Sequence, residues 1–203
     1  MESNEKKAEN QVLANSEKLR KSVWEWMETV VISCLIVVFV FTFVFRSVGI
    51  DGDSMLNTLV DGERVVISNI FYTPKQGDIV VISRNYDNDL LDTSDSSSPI
   101  IKRVIAVEGQ KVDIDFKSGI VYVDDEPLKE NYTRTLTNQP GDIEFPVVVP
   151  EGCVFVLGDN RNESLDSRFS WIGDQGMIDR RYIMGKAIFR IYPIDKAGSI
   201  YGE

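Results

Sequence analysis

The sequence predicts an all-β, mostly antiparallel domain carried on one N-terminal membrane-spanning helix. Seven short runs rich in β-branched and aromatic residues follow one another beyond residue 60, separated by Gly, Pro, Asn or Asp. One uncharged apolar run, residues 29–45, precedes them. The chain has 203 residues, 43% of them hydrophobic, which is room for one folded domain plus an anchor.

The apolar run comes first in the chain. Its seventeen residues at ~1.5 Å each span about 25 Å, slightly short of a ~30 Å hydrocarbon core. Trp24 and Trp26 suit the headgroup region, and Arg46 has the reach to snorkel, so the span is read as residues 23–46. Lys18, Arg20 and Lys21 precede the run, and Arg46 followed by Asp51 and Asp53 comes after it. That bias puts the N-terminus in the cytoplasm and the remainder outside. No Ala-x-Ala follows the run, so the expectation is an uncleaved signal anchor. Residues 1–22 are polar and form a tail, disordered or loosely helical.

Strands are expected at 64–67, 78–82, 100–107, 111–116, 120–123, 153–157 and 187–192. Lys117-Ser-Gly119 reads as a hairpin turn between two of them. Residues 86–99, acidic and Ser-rich, read as a loop inside the domain, and residues 131–146 as a second irregular stretch. A hairpin-like excursion is expected over about 113–150. The outer domain is taken as 47–203.

Composition excludes several functions. The net charge is −10, and nearly all of it lies beyond the apolar run. An acidic domain is a poor partner for nucleic acid, whose binding depends on neutralising phosphate. Cys34 and Cys153 lie far apart in sequence and are expected to stay unpaired. There is no histidine and no Cys-x-x-Cys, hence no metal-ligand spacing, and no cofactor is expected. The missing histidine also forbids a Ser-His-Asp triad. A serine can still be activated by a lysine that burial keeps neutral.

Ser54 and Lys102 are the candidates. Ser54 follows Gly52, which permits an unusual backbone angle, although Asp-Ser alone reads equally as a turn or a cap. Lys102 lies in the apolar run 100–107. In a strand it shares a face with Ile100, Val104 and Ala106, while Arg103 faces away with Ile101, Ile105 and Val107. Desolvation there would lower the lysine pKa from ~10.4 toward roughly 7–8. The alternative is an edge-strand lysine that discourages aggregation. Residues 158–168, directly after an apolar strand, hold two arginines, two aspartates and two serines. They can form a paired network that pins a lysine, or a run of Asx-turns.

Four blocks then carry a resemblance: Gly52-Asp-Ser-Met-Leu-Asn-Thr-Leu59, Gly77-Asp-Ile-Val-Val-Ile82, Lys102-Arg-Val-Ile-Ala-Val-Glu-Gly-Gln110 and Gly158-Asp-Asn-Arg-Asn-Glu-Ser-Leu-Asp-Ser-Arg168. In this order after a membrane anchor, they resemble the bacterial type I signal peptidases (leader peptidases) over nearly all of residues 24 to 192. The resemblance implies a partly coiled β-sheet catalytic domain with an exposed apolar edge against the membrane. It implies that Ser54 is the nucleophile and Lys102 the general base. Ser164 matches a serine that hydrogen-bonds and orients the lysine amine. Asp166 with Arg168, and Asp159 with Arg103, match two ion pairs, and Met55 matches a residue beside the substrate pocket.

The implied function is removal of signal peptides from exported preproteins, with the preproteins and membrane lipid as partners. Two departures stand out. Asn57 occupies a position that is usually proline, so a looser loop is expected there. Gly52 replaces a serine that in some members helps the oxyanion hole, which leaves the Ser54 backbone N–H as donor. Two other readings use the same residues: a Ser-Lys protease of different substrate, resembling the self-cleaving repressors, and a non-catalytic anchored domain that binds exported proteins.

Overall fold

The computed structural model describes residues 2–43, 45–84 and 98–201. The expected loop at 86–99 therefore lies outside the described residues except for Ser98 and Pro99. Two units emerge, one up to residue 44 and one from residue 45 onward.

The first unit is a single helix, α1 (Glu2–Phe43). Its stretch Glu17–Phe39 is long and apolar enough to cross a membrane, and none of it is buried. Residues 2–22 continue this helix, so no break separates tail from span. The helix itself ends at Phe43. Arg46 opens a strand, because its backbone finds partners in a neighbouring strand instead of extending the helix.

Among the described residues the second unit contains twelve strands: β1 (Arg46–Gly49), β2 (Arg64–Ser68), β3 (Ile79–Ile82), β4 (Ile100–Val107), β5 (Lys111–Asp115), β6 (Ile120–Val123), β7 (Glu126–Pro127), β8 (Val147–Val148), β9 (Cys153–Leu157), β10 (Ile178–Asp179), β11 (Ile183–Tyr192) and β12 (Gly198–Ser199). The larger sheet runs β1-β2-β11-β3-β4-β9-β10, with β12 added beside β11. The smaller runs β7-β6-β5-β8 and spans 111–148. Every pairing is antiparallel.

Bulges interrupt β11 against both β2 and β3, and β4 against β9. Such bulges bend strands and increase their twist, which curls the larger sheet. The bulge between Val104 and Ala106 also corrects the predicted faces of β4. Val107 packs with Ile100 and Val104, whereas Ala106 joins Ile105 in another cluster. Strict alternation fails where one strand carries an extra residue. It holds at the point that matters, since Lys102 pairs with Val80 and Arg103 with Ile79 and Leu157.

Candidate active site

The turn carrying Ser54 is held from below. Met55 and Leu59 are fully buried against Ile79 and Ile101. Their backbones close the turn, with Thr58 and Leu59 N–H donating to the Met55 carbonyl at 2.9 and 2.8 Å. Gly52 takes φ +85°, a left-handed angle that side chains resist, and its N–H donates to Asp61 Oδ1 at 2.9 Å. The turn is held from above by Asn160, whose N–H and side-chain amide donate to the carbonyls of Ser54 (2.9 Å) and Asp53 (3.1 Å).

Lys102 projects from the middle of β4 and is 4% exposed. Its Nζ donates to Ser54 Oγ at 2.8 Å and to the Ile101 carbonyl at 3.0 Å. Burial pushes its pKa down from 10.5 to about 8, with the nearby Asp166 carboxylate pulling the other way. The buried lysine and the serine read separately from sequence are thus one hydrogen-bonded pair. In its neutral form the amine can reverse that bond and accept the serine proton.

Both predicted ion pairs form. Arg103 grips Asp159 with Nε to Oδ1 at 2.8 Å and Nη2 to Oδ2 at 2.6 Å, and Thr58 Oγ1 donates to the same carboxylate at 2.5 Å. Arg168 meets Asp166 in the same two-pronged way, at 2.8 and 2.9 Å. Asp166 also accepts the Gly158 N–H at 3.0 Å. Forked pairs of this kind fix orientation as well as charge.

Ser164 Oγ, which the resemblance gives as a hydrogen-bond partner of the lysine amine, is buried and makes no hydrogen bond among the described residues, and the second bond of Lys102 goes to the Ile101 carbonyl. Ser164 is pressed into the space beside Gly158, where a Cβ would overlap its side chain and stand 2.6 Å from the Ser54 carbonyl oxygen. Gly158→Ala is therefore expected to destabilise the domain by about 1–3 kcal/mol, seen as a lower urea midpoint. An unchanged midpoint would mean that both Ser164 and the Ser54 backbone yield.

Met55 lines a cleft of ≈ 290 Å³ together with Ser54, Ile100, Ile101, Lys102 and Leu165. Leu165 is half exposed there, so an apolar side chain borders the serine. Asn57, expected to loosen the turn, instead reaches the Thr133 carbonyl through its amide at 3.5 Å, the outer limit for a hydrogen bond. Among the described residues no group of three or more His, Cys, Asp or Glu could hold a metal ion.

Sequence reasoning gave no role to Asn160, Arg161, Glu130 or Tyr132. Arg161 is 1% exposed. It donates to the carbonyl of Gly158 (3.0 Å), to Thr137 Oγ1 (2.6 Å) and to both oxygens of Glu130. Tyr132 lies under the Arg103 guanidinium, 3.8 Å from ring centroid to Cζ. Only the count of charged residues in 158–168 hinted at such a network, and the partners at 130–137 carry no local signal.

Comparison with known proteins places these residues in a wider set. Residues 23–192 match the family model described as signal peptidase, peptidase S26. A probable signal peptidase I-1 from Synechocystis is 40% identical over 157 residues, covering 74% of this chain and 73% of that protein. A signal peptidase I from Leptolyngbya laminosa is 33% identical, covering 94% and 90% respectively. A signal peptidase IB from Staphylococcus aureus is 32% identical, covering 88% and 94%.

Proposed function

This chain belongs to the signal peptidase family, peptidase S26, and on that premise we propose that it is a membrane-anchored serine endopeptidase working through a Ser54–Lys102 dyad. The family supports the coarser statement that the chain is a hydrolase removing signal peptides. One observation carries the finer one: a buried amine whose pKa is pushed down to about 8 lies 2.8 Å from the Ser54 hydroxyl.

In this reading Ser54 Oγ attacks the carbonyl before the scissile bond while neutral Lys102 takes its proton. The Ser54 backbone N–H faces the developing oxyanion. The Lys102 ammonium then protonates the departing amine, leaving an ester-linked acyl-enzyme. Lys102, neutral again, activates the water that hydrolyses it. The Asp159–Arg103 and Asp166–Arg168 pairs hold the strand and the loop that flank the dyad. Met55 borders the pocket for the residue before the cut, and the family resemblance implies a small side chain there.

The apolar helix supports a single-pass anchor, with the N-terminus in the cytoplasm and the catalytic domain outside. Enzyme and signal peptide would then share the bilayer, which raises their effective concentration.

The test is cleavage of a preprotein bearing an Ala-x-Ala site by the full chain in detergent. N-terminal sequencing of the product is expected to place the cut after the second alanine. As Lys102 must be neutral, kcat/KM is expected to fall about tenfold per pH unit below its pKa of about 8. A flat profile down to pH ~5 would rule out a lysine base.

A further inference from the structure

The segment 130–137 has no regular secondary structure, yet it touches all three parts of the dyad's scaffold. At the nucleophile turn, the Thr133 carbonyl receives the Asn57 amide. On β4, the Tyr132 ring stacks against Arg103, the neighbour of Lys102. At the loop after β9, the Arg134 N–H donates to the Asp159 carbonyl at 2.9 Å, and Glu130 and Thr137 bind Arg161. Tyr132 OH donates to Glu130 Oε1 at 2.9 Å, so the ring and the carboxylate act as one unit.

Both ends of this segment are tied to the smaller sheet. Leu128 N–H donates to the Val121 carbonyl at 2.8 Å, and Thr137 N–H to the Gly119 carbonyl at 3.1 Å. Glu130 is nearly buried, its side chain 11% exposed against an Arg161 at 1%. This is a desolvated, forked pair and not a loose surface contact.

We infer that residues 130–137 form a strap by which the smaller sheet positions the Ser54–Lys102 pair, with Tyr132 and Glu130 as positioning residues. The inference rests on the dyad reading of the preceding subsection. Neither residue lines the cleft beside Ser54, so their loss should leave substrate binding intact. What it should disturb is the alignment of β4 against the turn, which the reaction needs and binding does not.

The experiment compares Tyr132→Leu, Tyr132→Phe and Glu130→Gln with wild type and Ser54→Ala, as full chains in detergent on an Ala-x-Ala preprotein. Rates are taken per folded enzyme, at a temperature where unfolding curves show each variant native. Tyr132→Leu and Glu130→Gln are expected to lower kcat about tenfold with KM within about twofold. Tyr132→Phe keeps the ring over Arg103 and should retain most of kcat. Wild-type kcat in both Tyr132→Leu and Glu130→Gln, with only the unfolding midpoint lowered, would reduce the strap to a structural prop and overturn the inference. An equal loss in Tyr132→Phe and Tyr132→Leu would overturn the stacking role of Tyr132. Cleavage that survives Ser54→Ala would instead overturn the dyad, a result separable from all of these.

Discussion

Lys102→Met is expected to abolish cleavage while making the folded domain more stable near neutral pH. The activity should fall by about 10⁴-fold or more, because the amine that takes the Ser54 proton is gone. The stability effect follows from burial. The amine is buried and its pKa drops from 10.5 to about 8 on folding. Below about 8 both the folded and the unfolded chain carry the proton, and the folded one bears the full cost of a buried charge. Between about 8 and 10.5 the folded chain has lost its proton and the unfolded chain has not, so stability rises with pH. Above 10.5 the cost has gone. At about 1.4 kcal/mol per pH unit, that cost at pH 7 is roughly 3 kcal/mol. Methionine removes it and keeps most of the apolar stem, but forfeits bonds to Ser54 Oγ and the Ile101 carbonyl, each worth about 1 kcal/mol. A net gain of about 1 kcal/mol is expected at pH 7, turning into a loss of about 2 kcal/mol at high pH. Urea unfolding at pH 7 and pH 10.5 measures both. A variant less stable than wild type by the same amount at both pH values would mean that Lys102 is not held as a suppressed cation.

The burial of Lys102 is one of two readings the sequence offers, and the reason is local. Lys102 sits between apolar residues at two-residue spacing, so a central strand through 100–107 buries it while an edge strand need not. Strands 100–107, 120–123 and 153–157 have the limits the sequence predicts, because each is a β-branched or aromatic run bounded by turn formers. Val107 and Ala106 lie on the opposite faces from those strict alternation predicts, since a bulge depends on the partner strand and leaves no mark on one strand alone. Two-residue strands such as β7 and β8 are shorter than any periodicity can register. The strap escaped for a deeper reason. Residues 131–146 look irregular because their hydrogen bonds go to side chains and backbone far along the chain, and only the folded arrangement names those partners. Ser164 differs: its bond to the lysine amine was implied by resemblance alone, and its Oγ makes no hydrogen bond among the described residues.

Arg168→Met should be the most destabilising of the substitutions considered, and its reversal would show why. Arg168 is 1% exposed. Besides gripping Asp166 it donates to the carbonyls of Gln139 (2.8 Å), Arg161 (2.5 Å) and Ser164 (3.2 Å). Methionine would leave those carbonyls short of a donor and strand Asp166, which is 0% exposed, with backbone N–H groups alone. Removing one partner of a buried pair costs about 3–5 kcal/mol, a large share of a typical domain's 5–15 kcal/mol. Adding Asp166→Asn removes the stranded charge, so the double variant is expected to recover part of the loss even though it lacks both members of the pair. The same logic reaches the dyad. Asp166 favours the protonated form of Lys102 and Arg168 opposes it. Loss of Arg168 alone should move the acid limb of kcat/KM above its wild-type position near 8, and the double variant should bring it back down. Urea midpoints and pH profiles of the two single variants and the double variant test both statements. Strictly additive single losses would mean that the two side chains support the loop independently. An acid limb that stays fixed throughout would mean that this pair holds the loop without tuning the lysine.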